Sequence, residues 1–386
     1  MRNTNKKGFT IVELVIVVAV IAILAAVLIP TFSSIIKKAN QSADQQAVTN
    51  MNKLLATEAK ADDVDGVIEI LIKNNYAGDL TTYFKGYKLA WLPSENVIVL
   101  VEGEAVVYPK ANVGATGYEI INPMATDGET LAGGLEDGKT VYVGDNVTVE
   151  DGLYLESAGT YEVNLAGNTL NSNSYVGSWV DGGKLVVSNG VIDATASGEK
   201  ISVYADEGGY VELNNVQVYS AATANPLQCY GGTMVLNNVT TAQHGVANTS
   251  WYNSAVMVVN NIAKNSETGK YEIYGVNADL TVNGGMYSGD KAIMICAPGG
   301  NVTINGGTFV GTNNVIQGDF VRKNYGNSES YESVITINGG TFTGNIKVSA
   351  DTELVINGGT FTVDPTTWVA DGHTVVDNGN GTWTVK

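Results

Sequence analysis

The sequence predicts a mixed fold: a long N-terminal α-helix, half transmembrane and half amphipathic, a small α+β head, and a C-terminal parallel β-helix (solenoid). Right-handed crossover is the default hand for such parallel connections. Three observations carry the prediction. From Ile11 to Ile29 the only charged residue is Glu13. After Pro30 apolar residues recur every three or four positions, the period of one helical face. From about residue 140 a strand-and-turn motif repeats, and its clearest copies end in Ile-Asn-Gly-Gly-Thr-Phe.

The first element sets the class of the chain. About 20 apolar residues rising 1.5 Å each cross a bilayer's hydrocarbon core. A secretory signal places its apolar stretch before a small-residue cleavage site, whereas here Gly8 directly follows Lys6 and Lys7 and precedes the apolar run. A lone carboxylate in such a span costs roughly 2.5–3.5 kcal/mol on insertion scales, so Glu13 is read as functional and in need of a partner. Arg2, Lys6 and Lys7 favour a cytoplasmic N-terminus with the C-terminal domains outside, while Lys37 and Lys38 pull weakly the other way.

The stretch Lys7-Gly8-Phe9-Thr10-x-x-Glu13 followed by a long apolar helix resembles the N-terminus of type IV pilins and of type II secretion pseudopilins. The resemblance covers roughly the first 60 residues. It implies that a membrane prepilin peptidase cuts between Gly8 and Phe9, removing 1–8 as a leader, and that Phe9 becomes the N-methylated first residue. It also implies that Glu13 pairs with the terminal amine of a neighbouring subunit, that Pro30 bends the helix, and that 9–60 packs against other pilin subunits.

Composition narrows the rest. With 386 residues and 44% hydrophobic content the chain can build two or three cores. A net charge of −18 excludes nucleic acid as a partner, since no basic stripe can neutralise phosphates. Forty-five glycines against seven prolines point to many short strands and tight turns.

Downstream of Pro30 the amphipathic stripe runs through Phe32, Ile35, Ile36, Ala39, Ala43, Ala47, Met51, Leu54 and Leu55. Asp62 or Asp63 can cap a second helix carrying Val64, Val67, Ile68, Leu71 and Ile72. Strands follow at 87–91, 97–101 and 105–108, so that 61–110 resembles a minimal pilin head. Residues 111–139, rich in glycine, read as a linker.

Repeat copies begin at Leu185, Val211, Met234, Met257, Leu280, Val302, Ile335 and Leu354, at intervals of 26, 23, 23, 23, 22, 33 and 19 residues. A period near 22 residues is one turn of a solenoid spanning 140–364, whose rungs stack about 4.8 Å apart to close a core none of them has alone. Asn214, Asn237, Asn260, Asn283, Asn305, Asn338 and Asn357 fall in one column; Tyr287, Phe309, Phe342 and Phe361 fall in another. Cys229 and Cys296 lie three rungs apart on this register, about 14 Å, so both are expected as free, buried thiols. Residues 365–386 break the period and can cap the last rung; this region resembles the ends of bacterial surface β-helix proteins.

A β-helix hydrolase or lyase needs two or three carboxylates converging from adjacent rungs with a basic partner. Asp193, Asp206, Asp279, Asp290 and Asp319 occupy different offsets, Glu332 and Asp351 have no basic residue in register, and His244 and His373 lie far apart. No catalytic residue, metal ligand or cofactor is expected. Tyr230, Trp251, Tyr252 and Tyr274 are candidates for a flank that stacks on sugars, or equally for a buried stack supporting a turn. Arg322, Lys323 and Tyr325 lie in an insertion of roughly ten residues that reads either as a binding loop or as a solvated excursion.

The expected function is a pilin-like precursor at the cytoplasmic membrane, assembled into or at the tip of a surface filament. There its β-helix would act in adhesion, towards an extracellular glycan or host surface, or as structure. The alternatives are a membrane-anchored β-helix enzyme acting on polysaccharide and a minor component of a type II secretion-like machine.

Overall fold

The structure, a computed structural model, describes residues 11–81, 87–221, 224–243, 253–269, 271–273, 275–297, 300–321, 333–350 and 352–386. It divides into two compact units, Met1–Pro123 and Met124–Lys386.

The first unit is led by α1 (Ile11–Leu55), 45 residues without a break at Pro30. Pro30 lacks the N–H that would bond the Ala26 carbonyl. One residue on, the Thr31 hydroxyl donates to the Val27 carbonyl at 2.8 Å. The last turns of α1 bury Val48, Met51 and Leu55, the i, i+3, i+7 stripe. Asp63 caps α2 (Val64–Lys73) by accepting from the Gly66 N–H at 2.8 Å. After the short α3 (Ala77–Thr81) come β1 (Lys88–Leu92), β2 (Val97–Glu102), β3 (Ala105–Tyr108) and β4 (Glu119–Ile121). They form an antiparallel sheet in the order β3-β2-β1-β4. Asn52 of α1 fixes the helix to β2 with two bonds, accepting from the Ile98 N–H at 2.6 Å and donating to its carbonyl at 2.9 Å.

The sheet corrects the reading of 111–139 as a linker. This stretch contains β4, which pairs with β1, and a further helix, α4 (Gly128–Gly134), which belongs to the second unit. Gly114 and Gly117, both at positive φ, form the turn that brings β4 back to the sheet, and they hid the strand in the sequence.

The second unit is a large sheet domain whose strands pair in parallel as three stacked ladders, visited in turn by the chain. In the first ladder Val141, Val163, Val187, Leu213, Leu236, Val282, Ile304, Ile337 and Ile356 lie in register. In the second, Val147, Leu170, Ile192, Val218 and Thr241 are in register, and Tyr287, Phe309, Phe342 and Phe361 pair successively after them. In the third, Leu153, Val176, Val203, Leu227, Val256, Ile293, Ile316 and Ile346 align. These columns face one shared apolar core. Full burial of each aliphatic side chain contributes about 1.5–3 kcal/mol.

Turn chemistry holds the corners. Asn237 donates to Asn214, Asn283 to Asn237, Asn305 to Asn283, Asn338 to Asn305 and Asn357 to Asn338, at 2.7, 2.8, 2.7, 2.9 and 2.9 Å. Gly307, Gly340 and Gly359, at φ of 116°, 117° and 119°, sit two residues further on in the same corner. A Cβ at each would press to within 3.0–3.2 Å of the carbonyl of the glycine one rung before. The repeated Asn-Gly-Gly is thus an amide ladder beside a backbone conformation reserved for glycine.

Asn260 is not in that ladder. Met234 pairs directly with Leu280, 46 residues on, whereas Met257 pairs with Gln228 and Met294 in the third ladder. The segment between closes the antiparallel hairpin Ile262–Lys264/Tyr271–Ile273, and Asn260 instead accepts from the Ala278 N–H at 2.6 Å. Alternation alone matched Met257 to the repeat but carries no record of which ladder a strand joins. It follows that two ladder steps, not three, separate the cysteines: Cys229 pairs with Val258, and Cys296 with Val259. Both thiols are free and buried.

Each end is covered. At the start, Asp127 and Thr130 form a capping box for α4, which seats Leu131 in the core. At the finish, the hairpin Val375–Asp377/Trp383–Val385 pairs antiparallel with the strand Gly359–Phe361, closing an edge that would otherwise be open.

Candidate functional sites: the apolar N-terminal helix and an outer aromatic row

Two features stand apart from the packed core. One is the N-terminal half of α1. Ile11, Ile16, Ile21, Ile29 and Ile36 are 57–82% exposed, and Leu14, Val18, Leu24 and Phe32 are exposed as well. Among the described residues nothing covers this apolar face, and the helix is long and apolar enough to cross a membrane. Glu13 stands exposed in its first turn. Gly8 and Phe9 lie outside the described residues.

The other is an aromatic row on the outward side of the third ladder. Strand alternation sends Val203 and Ala205 inward and Tyr204 outward, and the same alternation turns Tyr154, Tyr175, Trp179 and Tyr230 out. Tyr154 and Trp179 stack at 4.6 Å and 9°. Tyr175 and Tyr204 lie 6.1 Å apart at 33°, and Tyr204 and Tyr230 lie 6.1 Å apart at 36°. Trp179 meets Tyr175 and Tyr204 edge-on. Its indole finds room because Gly177 fills the column position between Tyr154 and Tyr204, where a Cβ would collide with the Tyr204 carbonyl. All five rings are half-buried.

Carboxylates fix two of the phenols. Tyr175 donates to Glu199 at 2.6 Å and Tyr204 to Asp206 at 2.8 Å; Asp206 also accepts from Asn261 at 2.6 Å. Burial, and then the neighbouring Asp206 charge, hold the Tyr204 phenol far above its usual range, so it remains a donor. Burial likewise raises the Asp206 carboxyl, against the bonds it accepts. Buried Cys229, its thiol pushed up to about 12, donates to the Gly232 carbonyl at 3.0 Å and is an inert core group.

Of the aromatic candidates read from sequence, Tyr230 belongs to this row, where it also packs against Met257, Val259, Met294 and Cys296. Trp251, Tyr252, Tyr274, Arg322, Lys323 and Tyr325 lie outside the described residues. Sequence reasoning missed Tyr154, Tyr175, Trp179 and Tyr204. The usable signal was strand alternation: Tyr154 lies between inward Leu153 and Leu155, and Tyr204 between inward Val203 and Ala205. Among the described residues no group of three or more His, Cys, Asp and Glu side chains could hold a metal.

A long, apolar and exposed N-terminal helix thus precedes a strand-rich domain in the chain. Residues 3–29 match the prokaryotic N-terminal methylation motif. The chain is 60% identical over 38 residues to the type IV wide pilus major component PilA4 of Thermus thermophilus, covering 10% of this chain and 29% of that protein. It is 28% identical over 155 residues to a fimbrial protein of Dichelobacter nodosus, covering 38% of this chain and 97% of that protein. The N-terminal segment is therefore that of the type IV pilin family. No solved structure matches the chain.

Proposed function

We propose that this protein is a pilin-like subunit whose N-terminal helix builds a surface filament, or its tip, and whose strand-rich domain is displayed outside. The observation that carries this reading is a methylation motif standing directly on a 45-residue helix whose first half is apolar and uncovered. Prepilin peptidase cuts between Gly8 and Phe9, and Phe9 becomes the methylated N-terminus. The bilayer covers the apolar face before assembly, and helices of neighbouring subunits cover it afterwards. Glu13 meets the terminal amine of the next subunit, a pairing that offsets the cost of a carboxylate in an apolar layer. The three ladders are the faces of one right-handed parallel β-solenoid, with α4 and the last hairpin as its caps.

The catalysed-reaction reading has less support, since Glu199 and Asp206 are engaged by tyrosine hydroxyls. The size of the unit Met124–Lys386 favours tip or low-copy placement, since so bulky a domain crowds a densely packed shaft.

The test is the intact mass and N-terminal residue of the protein recovered from cells with and without prepilin peptidase. N-methylated Phe9 in the first and Met1 in the second is the expected pair. A chain that begins at Met1 in both would sink the reading.

A further inference from the structure

We propose that the outer aromatic row is a binding site for a neutral polysaccharide chain, an inference that rests on the reading of this domain as the displayed part of a surface subunit. The row follows the stacking direction across four strands, Leu153–Leu155, Val176–Ser178, Ile201–Asp206 and Asn225–Tyr230. At the strand spacing that is about 14 Å, longer than a single sugar ring.

Its rings are unlike those of the core. Tyr287, Phe309, Phe342 and Phe361 stack within 12° of parallel at 4.8–5.0 Å, each face closed by the next. Tyr175, Tyr204 and Tyr230 are splayed by 33–36° at 6.1 Å and half-buried, which leaves ring surface open to the C–H faces of a pyranose. The rings are also held in place. Two phenols are tied to carboxylates, Tyr154 backs Trp179, and Gly177 makes the space for the indole. A surface fixed before binding loses little conformational freedom on binding.

The polar chemistry chooses the ligand. The groups bonded to the row, Glu199 and Asp206, are hydrogen-bond acceptors, which suit the many hydroxyl donors of a sugar. On a chain of net charge −18 the same carboxylates repel uronic acid or sulfated polymers. A neutral glycan is the polymer that offers apolar faces and hydroxyl donors without bringing negative charge.

The experiment is affinity electrophoresis of the full chain in mild detergent. Gels carry hydroxyethylcellulose, mixed-linkage β-glucan, xylan or galactomannan as neutral probes, or polygalacturonate as the anionic one. At least one neutral polymer should retard the protein, polygalacturonate should not, and Trp179→Ala or Tyr204→Ala should weaken retardation at least tenfold. Tyr204→Phe keeps the ring and should weaken it less. Tyr219→Ala, outside the row, is the control, and thermal melts verify that each variant is folded. Retardation by none of the neutral probes, retardation by polygalacturonate alone, or equal retardation of folded Trp179→Ala and Tyr204→Ala would overturn the proposal. Uncut and processed chains should bind alike, so a failure of Gly8 cleavage and a failure of glycan binding are read separately.

Discussion

The strand-rich domain carries two aromatic columns, one facing inward in the second ladder of the later rungs and one facing outward on the third ladder of the earlier rungs. Inside, Tyr287, Phe309, Phe342 and Phe361 repeat at the strand spacing, and close packing leaves them one arrangement, nearly parallel and fully buried. Outside, the five rings are less uniform: Tyr154 and Trp179 stack, Tyr175, Tyr204 and Tyr230 are splayed, and carboxylates hold the Tyr175 and Tyr204 phenols. The comparison teaches that a stacked-strand repeat dictates the geometry of its interior, while its outer columns can vary from rung to rung. Stability should therefore concentrate in the first column and recognition in the second.

The sharpest way to break that division is a matched pair of truncations. Phe342→Ala empties a site between two rings and should cost about 3–5 kcal/mol, the usual range for a buried phenylalanine. Tyr204→Ala removes a half-buried outer ring and should cost about 1 kcal/mol, typical of partly exposed positions. Thermal and denaturant melts of the two variants check this. If the outer truncation destabilises as much as the inner one, the row is a structural stack.

The same division explains what could be read from sequence. Copies ending in Ile-Asn-Gly-Gly-Thr-Phe were legible because one corner needs both an amide, at Asn305, Asn338 and Asn357, and a left-handed backbone two residues on, at Gly307, Gly340 and Gly359. In the earlier rungs the same core column is filled by Val147, Leu170, Ile192 and Val218, any of which suffices, so the repeat is weaker there. Left-handed corners at Asn189, Asn215 and Asn238 use asparagine where later rungs use glycine, which masked the register further. The aromatic row sits on those earlier rungs, and of its five rings only Tyr230 was read from the sequence. At the other end of the chain the motif around Gly8 and Glu13 was legible because the order of charge, glycine and apolar helix is itself the signal.

A smaller effect probes the corner between the first ladder and the inner aromatic column. Asn305→Ala removes a bond given to Asn283 and one received from Asn338, whereas Asn357→Ala removes only the bond given to Asn338 at the end of the ladder. Net hydrogen-bond worth of about 0.5–1.5 kcal/mol each implies a loss of roughly 1–2 kcal/mol for the first and about half that for the second. Equal losses would mean that the amides act singly and not as a ladder.

The smallest effect isolates Asp206 in the outer row. Its carboxyl is raised chiefly by burial, while the bonds from Tyr204, Glu207 and Asn261 pull the other way. The folded state then holds this proton more tightly than the unfolded chain, so the unfolded state binds fewer protons across the window above about 3.9, and stability falls as pH rises through it. The favourable contribution is complete below the unfolded value and gone above the folded one. With thirty-nine acidic residues in the chain, only a difference isolates it: the melting temperature of the wild type minus that of Asp206→Asn, followed from pH 3.5 to 7, should decline with pH. Tyr204→Phe deletes a donor that stabilises the charged carboxylate, so in that background the decline should begin at the same unfolded value and extend to higher pH. A difference that stays flat, or climbs with pH, would mean that the accepted bonds outweigh burial and that the row carries a fully charged carboxylate.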